Sequence, residues 1–200
     1  CPPPPYRMGT LVSDAERLLD TLGIRDCVFL GLSVGGLIAQ GLAVKRLDQV
    51  RAIVLSNTAA KIGTAATWDS RIQTVRRGGI DSIADATMER WFSRSSRSSP
   101  EARSMRDLLC QTREEGYIGV SAAIAGTDFY ETTATLTLPT LAIAGSEDGS
   151  TPPDLVRETA DLVKGSRFAL IRGAGHLPPI DRPAEFAAIL AEFLHSIGHV

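Results

Sequence analysis

The sequence predicts an α/β fold, in which helices cover both faces of a mostly parallel sheet. Two observations lead to this prediction. Strand-length apolar runs alternate with stretches of helical spacing at both ends of the chain, and a long middle region contains helical spacing alone. Strands that alternate with helices pair in parallel, because each helix carries the chain back across the sheet. Residues 1–56 and 137–200 are therefore predicted to form the sheet-containing core, and residues 57–136 an inserted helical lid.

The N-terminal part of the core is predicted from residue spacing and from helix end signals. Leu11, Ala15 and Leu18 repeat at helical intervals. Thr10 is suited to cap this helix and Gly23 to end it. The predicted elements are a helix at Thr10–Leu22, a strand at Cys27–Leu32, a helix at Val34–Val44 and a strand at Arg51–Leu55.

The middle of the chain contains four helical stretches separated by Gly and Ser, after which strands and helices alternate again. The predicted lid helices are Trp68–Val75, Ile80–Trp91, Glu101–Gln111 and Tyr117–Ala125. The predicted C-terminal core elements are a strand at Thr140–Ala144, a helix at Pro153–Val163, a strand at Arg167–Ile171 and a helix at Ala184–Ile197.

Composition and charge exclude several classes of function. The chain is 44% hydrophobic and 22% charged with a formal net charge of -2, which gives no electrostatic reason to expect nucleic acid as a partner. No run approaches the ~18 apolar residues of a membrane helix, and no signal-peptide pattern occurs. Three histidines without paired spacing and three scattered cysteines predict neither a metal site nor a disulfide framework. We therefore expect a cytoplasmic protein that acts on a small molecule without metal or cofactor.

A Gly-x-Ser-x-Gly pattern lies between the first predicted strand and the helix that follows it. Its residues are Gly31-Leu32-Ser33-Val34-Gly35. This context predicts a nucleophile elbow, a tight turn that strains the backbone of the serine and exposes its hydroxyl. Side chains two residues before and two after Ser33 would collide in such a turn, so glycine is expected at both positions. The backbone N–H of Val34 is predicted to donate to a developing oxyanion at the start of the helix.

An acid and a base follow the serine in the order that this type of site requires. A serine hydroxyl needs an adjacent base, and the base needs an orienting acid. Asp148 follows the third predicted strand and His176 the fourth, so both lie at carboxyl ends of parallel strands with the serine. Glu147 is an alternative acid. His195 and His199 belong to the last helix and the tail and are interpreted as surface residues.

Two sets of segments resemble known proteins. The first consists of Gly31-Leu32-Ser33-Val34-Gly35-Gly36, Gly145-Ser146-Glu147-Asp148 with Thr151-Pro152, and Gly173-Ala174-Gly175-His176-Leu177-Pro178. The second consists of Ser56-Asn57-Thr58-Ala59-Ala60-Lys61-Ile62-Gly63, Trp68 with Arg71-Ile72, Glu89-Arg90-Trp91-Phe92, and Glu115-Gly116-Tyr117. The first set resembles the α/β-hydrolase superfamily at large. The second resembles one member family, the 3-oxoadipate enol-lactone hydrolases, over essentially the whole chain.

The resemblance implies an α/β-hydrolase fold and the opening of 3-oxoadipate enol-lactone through an acyl-enzyme. Ser33 would be the nucleophile, His176 the base and Asp148 the orienting acid. The substrate carries a carboxylate, for which Arg71 is the candidate partner, with Trp68 and Trp91 as the candidate apolar wall. Two alternatives remain open: another carboxylesterase or lactonase with the same triad, and a hydrolase-like binding protein that no longer turns over.

The resemblance also implies an N-terminal segment that these residues do not include. In the family, a loop of that segment supplies the second N–H of the oxyanion hole. Only the C-terminal half of the sheet is then expected here, and the Cys27–Leu32 strand is expected to form an unpaired apolar edge. We therefore expect either a fragment or a second chain that supplies the missing half.

Overall fold

The computed structural model describes residues 1–199 and contains, within them, one four-stranded sheet and ten helices. The strands are β1 (Cys27–Leu32), β2 (Val50–Ser56), β3 (Thr140–Gly145) and β4 (Arg167–Ile171). The helices are α1 (Met8–Thr21), α2 (Val34–Lys45), α3 (Ala65–Gly78), α4 (Asp81–Trp91), α5 (Pro100–Cys110), α6 (Glu114–Ala125), α7 (Tyr130–Ala134), α8 (Pro153–Asp161), α9 (Pro178–Asp181) and α10 (Pro183–Ser196).

The sheet is entirely parallel, with the strands in the order β1-β2-β3-β4. The two inner strands, β2 and β3, are almost completely buried, which explains why they read as continuous apolar runs rather than as alternating ones. Among residues 1–199, β1 pairs only with β2 and therefore forms one edge of the sheet, as the family resemblance implies.

Helices cover both faces of this sheet, and successive residues of β2 point to opposite faces. Ile53 and Leu55 pack in one cluster with apolar residues of α1 and α2. Ala52 and Val54 pack in another with Phe186 and other residues of α10. This arrangement confirms the predicted α/β fold.

Residues 57–136 contain the helices α3 to α7 and, in the structure, no strand. Four of these helices match the predicted stretches to within a few residues. A separate hydrophobic cluster lies within this segment and includes Ile72, Val75, Ile83 and Phe92, all of them buried. The division of the chain into core and lid stays a prediction, although this cluster is what an inserted helical unit would need.

Local signals were wrong at three places. Thr10 does not cap α1, because the helix begins at Met8, whose side chain is buried against the core and extends the helix by packing. The short helices α7 and α9 were not predicted, since five and four residues are too few to show helical periodicity.

Within residues 1–199, no helix combines the length and the apolar character that a membrane crossing needs.

Candidate active site

The turn between β1 and α2 holds Ser33 in a left-handed backbone conformation, with φ 56° and ψ -120°. Few residues other than glycine adopt such angles, so the turn is strained. A Cβ atom on Gly31 would lie 2.0 Å from the carbonyl oxygen of Gly35, which no side chain can do. The same test on Gly35 finds nothing within 4 Å, so our expectation of a clash at that position was wrong. The turn needs glycine before the serine, because the backbone after the serine folds back onto it.

An acid–base pair lies at the carboxyl ends of the next two strands. Nδ1 of His176 is 2.8 Å from Oδ2 of Asp148, and both residues are buried. Glu147, the alternative acid, is exposed and accepts the backbone N–H of Arg94 instead. Of the two neighbouring carboxylates, the structure therefore brings only Asp148 to the imidazole.

The carboxylate of Asp148 is held by donors on both oxygens. Oδ1 accepts the backbone N–H groups of Ser150 and Thr151 at 2.7 and 3.0 Å, and Oδ2 accepts the hydroxyl of Thr151 at 2.7 Å. Burial alone would raise the pKa of Asp148. The hydrogen bond and the charge of His176, together with the bonds from Asn57 and Ser150, outweigh burial and lower that pKa below its ordinary value. The acid therefore stays ionised while it faces the imidazole.

Asn57 was not predicted as a site residue, yet it joins the loop that carries Asp148 (the acid loop) to the loop that carries His176 (the base loop). It lies directly after β2, is fully buried and has a left-handed φ of 47°. Its Nδ2 donates to Oδ2 of Asp148 at 2.9 Å and to the carbonyl oxygen of Gly175 at 3.1 Å. The available signal was its position at the carboxyl end of a buried parallel strand, level with the serine.

The end of α4 is hydrogen-bonded to the loop that carries Asp148 and to the loop that carries His176. The carbonyl oxygen of Arg90 accepts the N–H of Gly149 at 3.1 Å, and that of Trp91 accepts the N–H of His176 at 2.8 Å. A Cβ on Gly175 would lie 2.5 Å from the same Trp91 oxygen, so the approach of α4 requires glycine there. The predicted lid is thus fixed to the base and acid loops by its backbone.

A cavity of about 350 Å³ opens beside the serine and the imidazole. Ser33, Val34 and His176 line one part of it, and the three predicted substrate-binding residues also belong to its wall. Asp148 lies behind His176, outside the wall. A larger groove of about 840 Å³ between α1, α2 and α6 contains none of these residues.

The predicted substrate-binding side chains lie close to one another. The guanidinium carbon of Arg71 lies over the Trp68 ring, 4.7 Å from its centroid, in a cation–π arrangement. The Trp91 ring lies 6.3 Å from the imidazole ring of His176, with 27° between their planes. Arg71 is half-buried, so it is not a freely solvated surface residue. In residues 1–199, no group of His, Cys, Asp and Glu side chains is arranged to hold a metal ion.

Comparison with known proteins identifies the family. The sequence profile of the Alpha/beta hydrolase family matches residues 1–189. The chain belongs to the alpha/beta hydrolase family. It is 33% identical over 184 residues to a 3-oxoadipate enol-lactonase 2 of Acinetobacter baylyi, covering 91% of this chain and 68% of that protein.

Two solved structures of alpha/beta hydrolases extend this comparison. An enol-lactonase of Burkholderia xenovorans superimposes with a TM-score of 0.93 at 34% identity, covering 98% of this chain and 75% of that one. A thermophilic esterase of Thermogutta terrifontis superimposes with a TM-score of 0.91 at 28% identity, covering 99% of this chain and 75% of that one. These relatives support hydrolase activity for this alpha/beta hydrolase.

Proposed function

We propose that this alpha/beta hydrolase opens 3-oxoadipate enol-lactone to 3-oxoadipate through a Ser33–His176–Asp148 triad. The observation that carries the proposal is the buried Asp148–His176 pair at 2.8 Å, whose imidazole lines the same cavity as the strained Ser33 turn. The similarity to enol-lactonases at 32–33% identity supports the choice of substrate.

The contact between Asp148 and Nδ1 supports an assignment of the imidazole nitrogens. Because Nδ1 of His176 faces Asp148, Nε2 is the atom available to accept the Ser33 proton. The serine Oγ then attacks the lactone carbonyl, and the ring opens to an acyl-enzyme with an enolate leaving group. His176 protonates the enolate, which tautomerises to the ketone, and then activates the water that releases the product. The Val34 N–H, at the first position of α2, is the proposed oxyanion donor.

Arg71 is the proposed partner of the substrate carboxylate. A guanidinium binds a carboxylate through two parallel hydrogen bonds, and the Arg71 guanidinium lies over the Trp68 ring beside it. Trp68 and Trp91 line the apolar part of the cavity. An Arg71→Ala variant with full activity on the lactone would remove Arg71 from this scheme.

The catalytic assignment is tested by covalent labelling with a fluorophosphonate, read by intact mass. The wild type is expected to gain one adduct, and Ser33→Ala none. Ser70→Ala, which removes an exposed hydroxyl from α3, serves as the matched control and is expected to label like the wild type. Labelling that persists in Ser33→Ala would contradict the triad. An adduct without any turnover would favour a hydrolase-like binding protein.

A carboxylesterase acting on neutral esters is the second candidate, favoured by the likeness to the thermophilic esterase. Rates on the enol-lactone and on neutral short-chain esters separate the two functions. The enol-lactone proposal expects a higher kcat/KM on the lactone. Equal or faster hydrolysis of the neutral esters would assign the esterase function instead.

A further inference from the structure

Arg90 places a second guanidinium on the wall of the catalytic cavity. The residue lies one position before the end of α4 and lines the same cavity as Ser33, His176 and Arg71. Nothing in the triad mechanism uses it. Two cationic side chains from two different helices therefore converge on one cavity of about 350 Å³.

The guanidinium of Arg90 is incompletely satisfied by the protein. Its Nη2 donates to the hydroxyl of Thr87 at 3.0 Å, whereas its Nε is buried without a hydrogen-bond partner in the described part of the chain. A buried donor without an acceptor destabilises the folded protein, so such a group is ordinarily paired. Because Nε is shielded from solvent, a ligand in the cavity would meet the guanidinium through Nη1 and Nη2.

No carboxylate of the described residues neutralises the two arginines. The cavity wall contains no Asp or Glu, and neither Arg71 nor Arg90 forms an ion pair within residues 1–199. The uncharged polar groups on the wall include the hydroxyls of Tyr117 and Ser121, and Glu89, adjacent to Arg90 in the chain, is exposed. Burial, followed by the positive charge of Arg71, lowers the pKa of Arg90, as expected for like charges held together in an apolar cavity.

We propose that Arg90 and Arg71 together form an anion subsite, and that Arg90 makes the enzyme specific for substrates bearing a carboxylate. A carboxylate between the two guanidiniums relieves their mutual repulsion and gives the Arg90 fork an acceptor. A neutral ester does neither, because it leaves two desolvated cations unpaired. The inference rests on the proposed serine hydrolase function, but not on the lactone as the substrate.

Two esters of the same chain length, one charged and one neutral, test the subsite. The 4-nitrophenyl monoester of adipic acid carries a free carboxylate, and its methyl ester is the neutral counterpart. The measured quantity is the ratio of kcat/KM for the charged ester to that for the neutral ester. Arg90→Gln is expected to lower this ratio about tenfold or more, because a charge-assisted hydrogen bond is lost only for the charged ester.

The matched control is Arg76→Gln, which removes an exposed positive charge from α3 outside the cavity wall. It is expected to leave the ratio at the wild-type value. An equal fall for both esters in Arg90→Gln would overturn the proposal, since it would indicate a structural role. So would a wild type without charge preference, or an Arg76→Gln variant with the same loss.

Failure of the subsite and failure of the proposed function give different results. A Ser33-dependent preference for the charged ester without lactone opening would keep the subsite and remove the lactone. Lactone opening with an unchanged ratio in Arg90→Gln would keep the lactone as substrate and remove the subsite. If Arg90→Gln does not fold, Arg90→Lys keeps the charge but not the fork, and its ratio is expected to fall less than tenfold but measurably. An unchanged ratio in that variant would count against Arg90.

Discussion

At the scale of single residues, the acid of the proposed triad depends on a side chain from another strand. Asn57 is 91 positions away from Asp148 in sequence, yet its amide contacts both the carboxylate and the loop that carries His176. Asn57 does not line the cavity that holds Ser33 and His176. We propose that Asn57 positions the acid and the base relative to each other.

Replacing Asn57 is predicted to lower kcat in a protein that still folds and is still labelled by the fluorophosphonate. Asn57→Gly removes the amide but keeps the left-handed φ accessible, and kcat is expected to fall about tenfold, equivalent to ~1.4 kcal/mol of transition-state stabilisation. Asn57→Ala adds backbone strain to the same loss, so it is expected to be less stable than Asn57→Gly in thermal unfolding. Wild-type kcat in a folded Asn57→Gly protein would remove the positioning role.

The lowered pKa of Asp148 predicts a loss of stability in acid. A carboxyl group with a depressed pKa in the folded state stabilises the fold fully above its unfolded value, about 3.9. That contribution is lost as the pH falls through the lower folded value, because the native carboxylate must then be protonated. Urea unfolding between about pH 5 and pH 2 is expected to show a smaller loss in Asp148→Asn than in the wild type. An equal loss would show that this carboxylate does not contribute.

At the scale of elements, the turn before α2 is asymmetric in its need for glycine. The carbonyl oxygen of Gly35 occupies the place where a Gly31 side chain would begin, whereas a Gly35 side chain would meet open space. Of the two glycines around the serine, only Gly31 is therefore required by a steric clash. The base loop makes a comparable contact at the end of β3. A Cβ atom on Gly145 would lie 2.0 Å from the carbonyl oxygen of Gly175.

This asymmetry predicts different outcomes for two alanine substitutions. Gly31→Ala is expected to abolish labelling by the fluorophosphonate, since the turn cannot close around an added methyl group. Gly35→Ala, in the first turn of α2, is expected to fold and to be as stable as the wild type or up to ~1 kcal/mol more stable, because alanine favours a helix. Chemical denaturation of both variants checks this. A folded, labelled Gly31→Ala protein would contradict the steric explanation.

At the scale of the whole molecule, β1 leaves one edge of the sheet without a partner strand in the described residues. In residues 1–199, β1 pairs on one side only, and Leu30 on this strand is 38% exposed. Unpaired, apolar strand edges bind other strands. We propose that a further polypeptide segment, from a second chain or a longer one, pairs with this edge.

The edge predicts concentration-dependent association of this 200-residue polypeptide. Light scattering coupled to size exclusion is expected to show oligomers that increase with concentration. Leu30→Lys is expected to reduce them, because a charge on an edge strand disfavours pairing. A clean monomer at all concentrations, with slow hydrogen exchange in β1, would count against an unsatisfied edge.

Elements that depend on neighbouring residues were predicted better than features that depend on contacts between distant residues. The strands Cys27–Leu32 and Arg167–Ile171 were predicted with their observed bounds, because apolar runs and turn residues act over a few neighbours. The short helix Pro178–Asp181 was missed because four residues are too few to show helical periodicity. The cap of α1 was missed because the helix begins earlier, at Met8, which packs in the core.

The sequence by itself determined the parallel α/β architecture and the placement of Ser33, Asp148 and His176 at the carboxyl ends of strands. Both follow from periodicity and chain order, which are local properties. Only the tertiary structure decided that Asp148 rather than Glu147 faces the imidazole, that Asn57 joins the two loops, and that Arg90 lies beside Arg71 in the cavity. These contacts join residues on different elements, and their distances are set by how strands and helices pack, which no local pattern records.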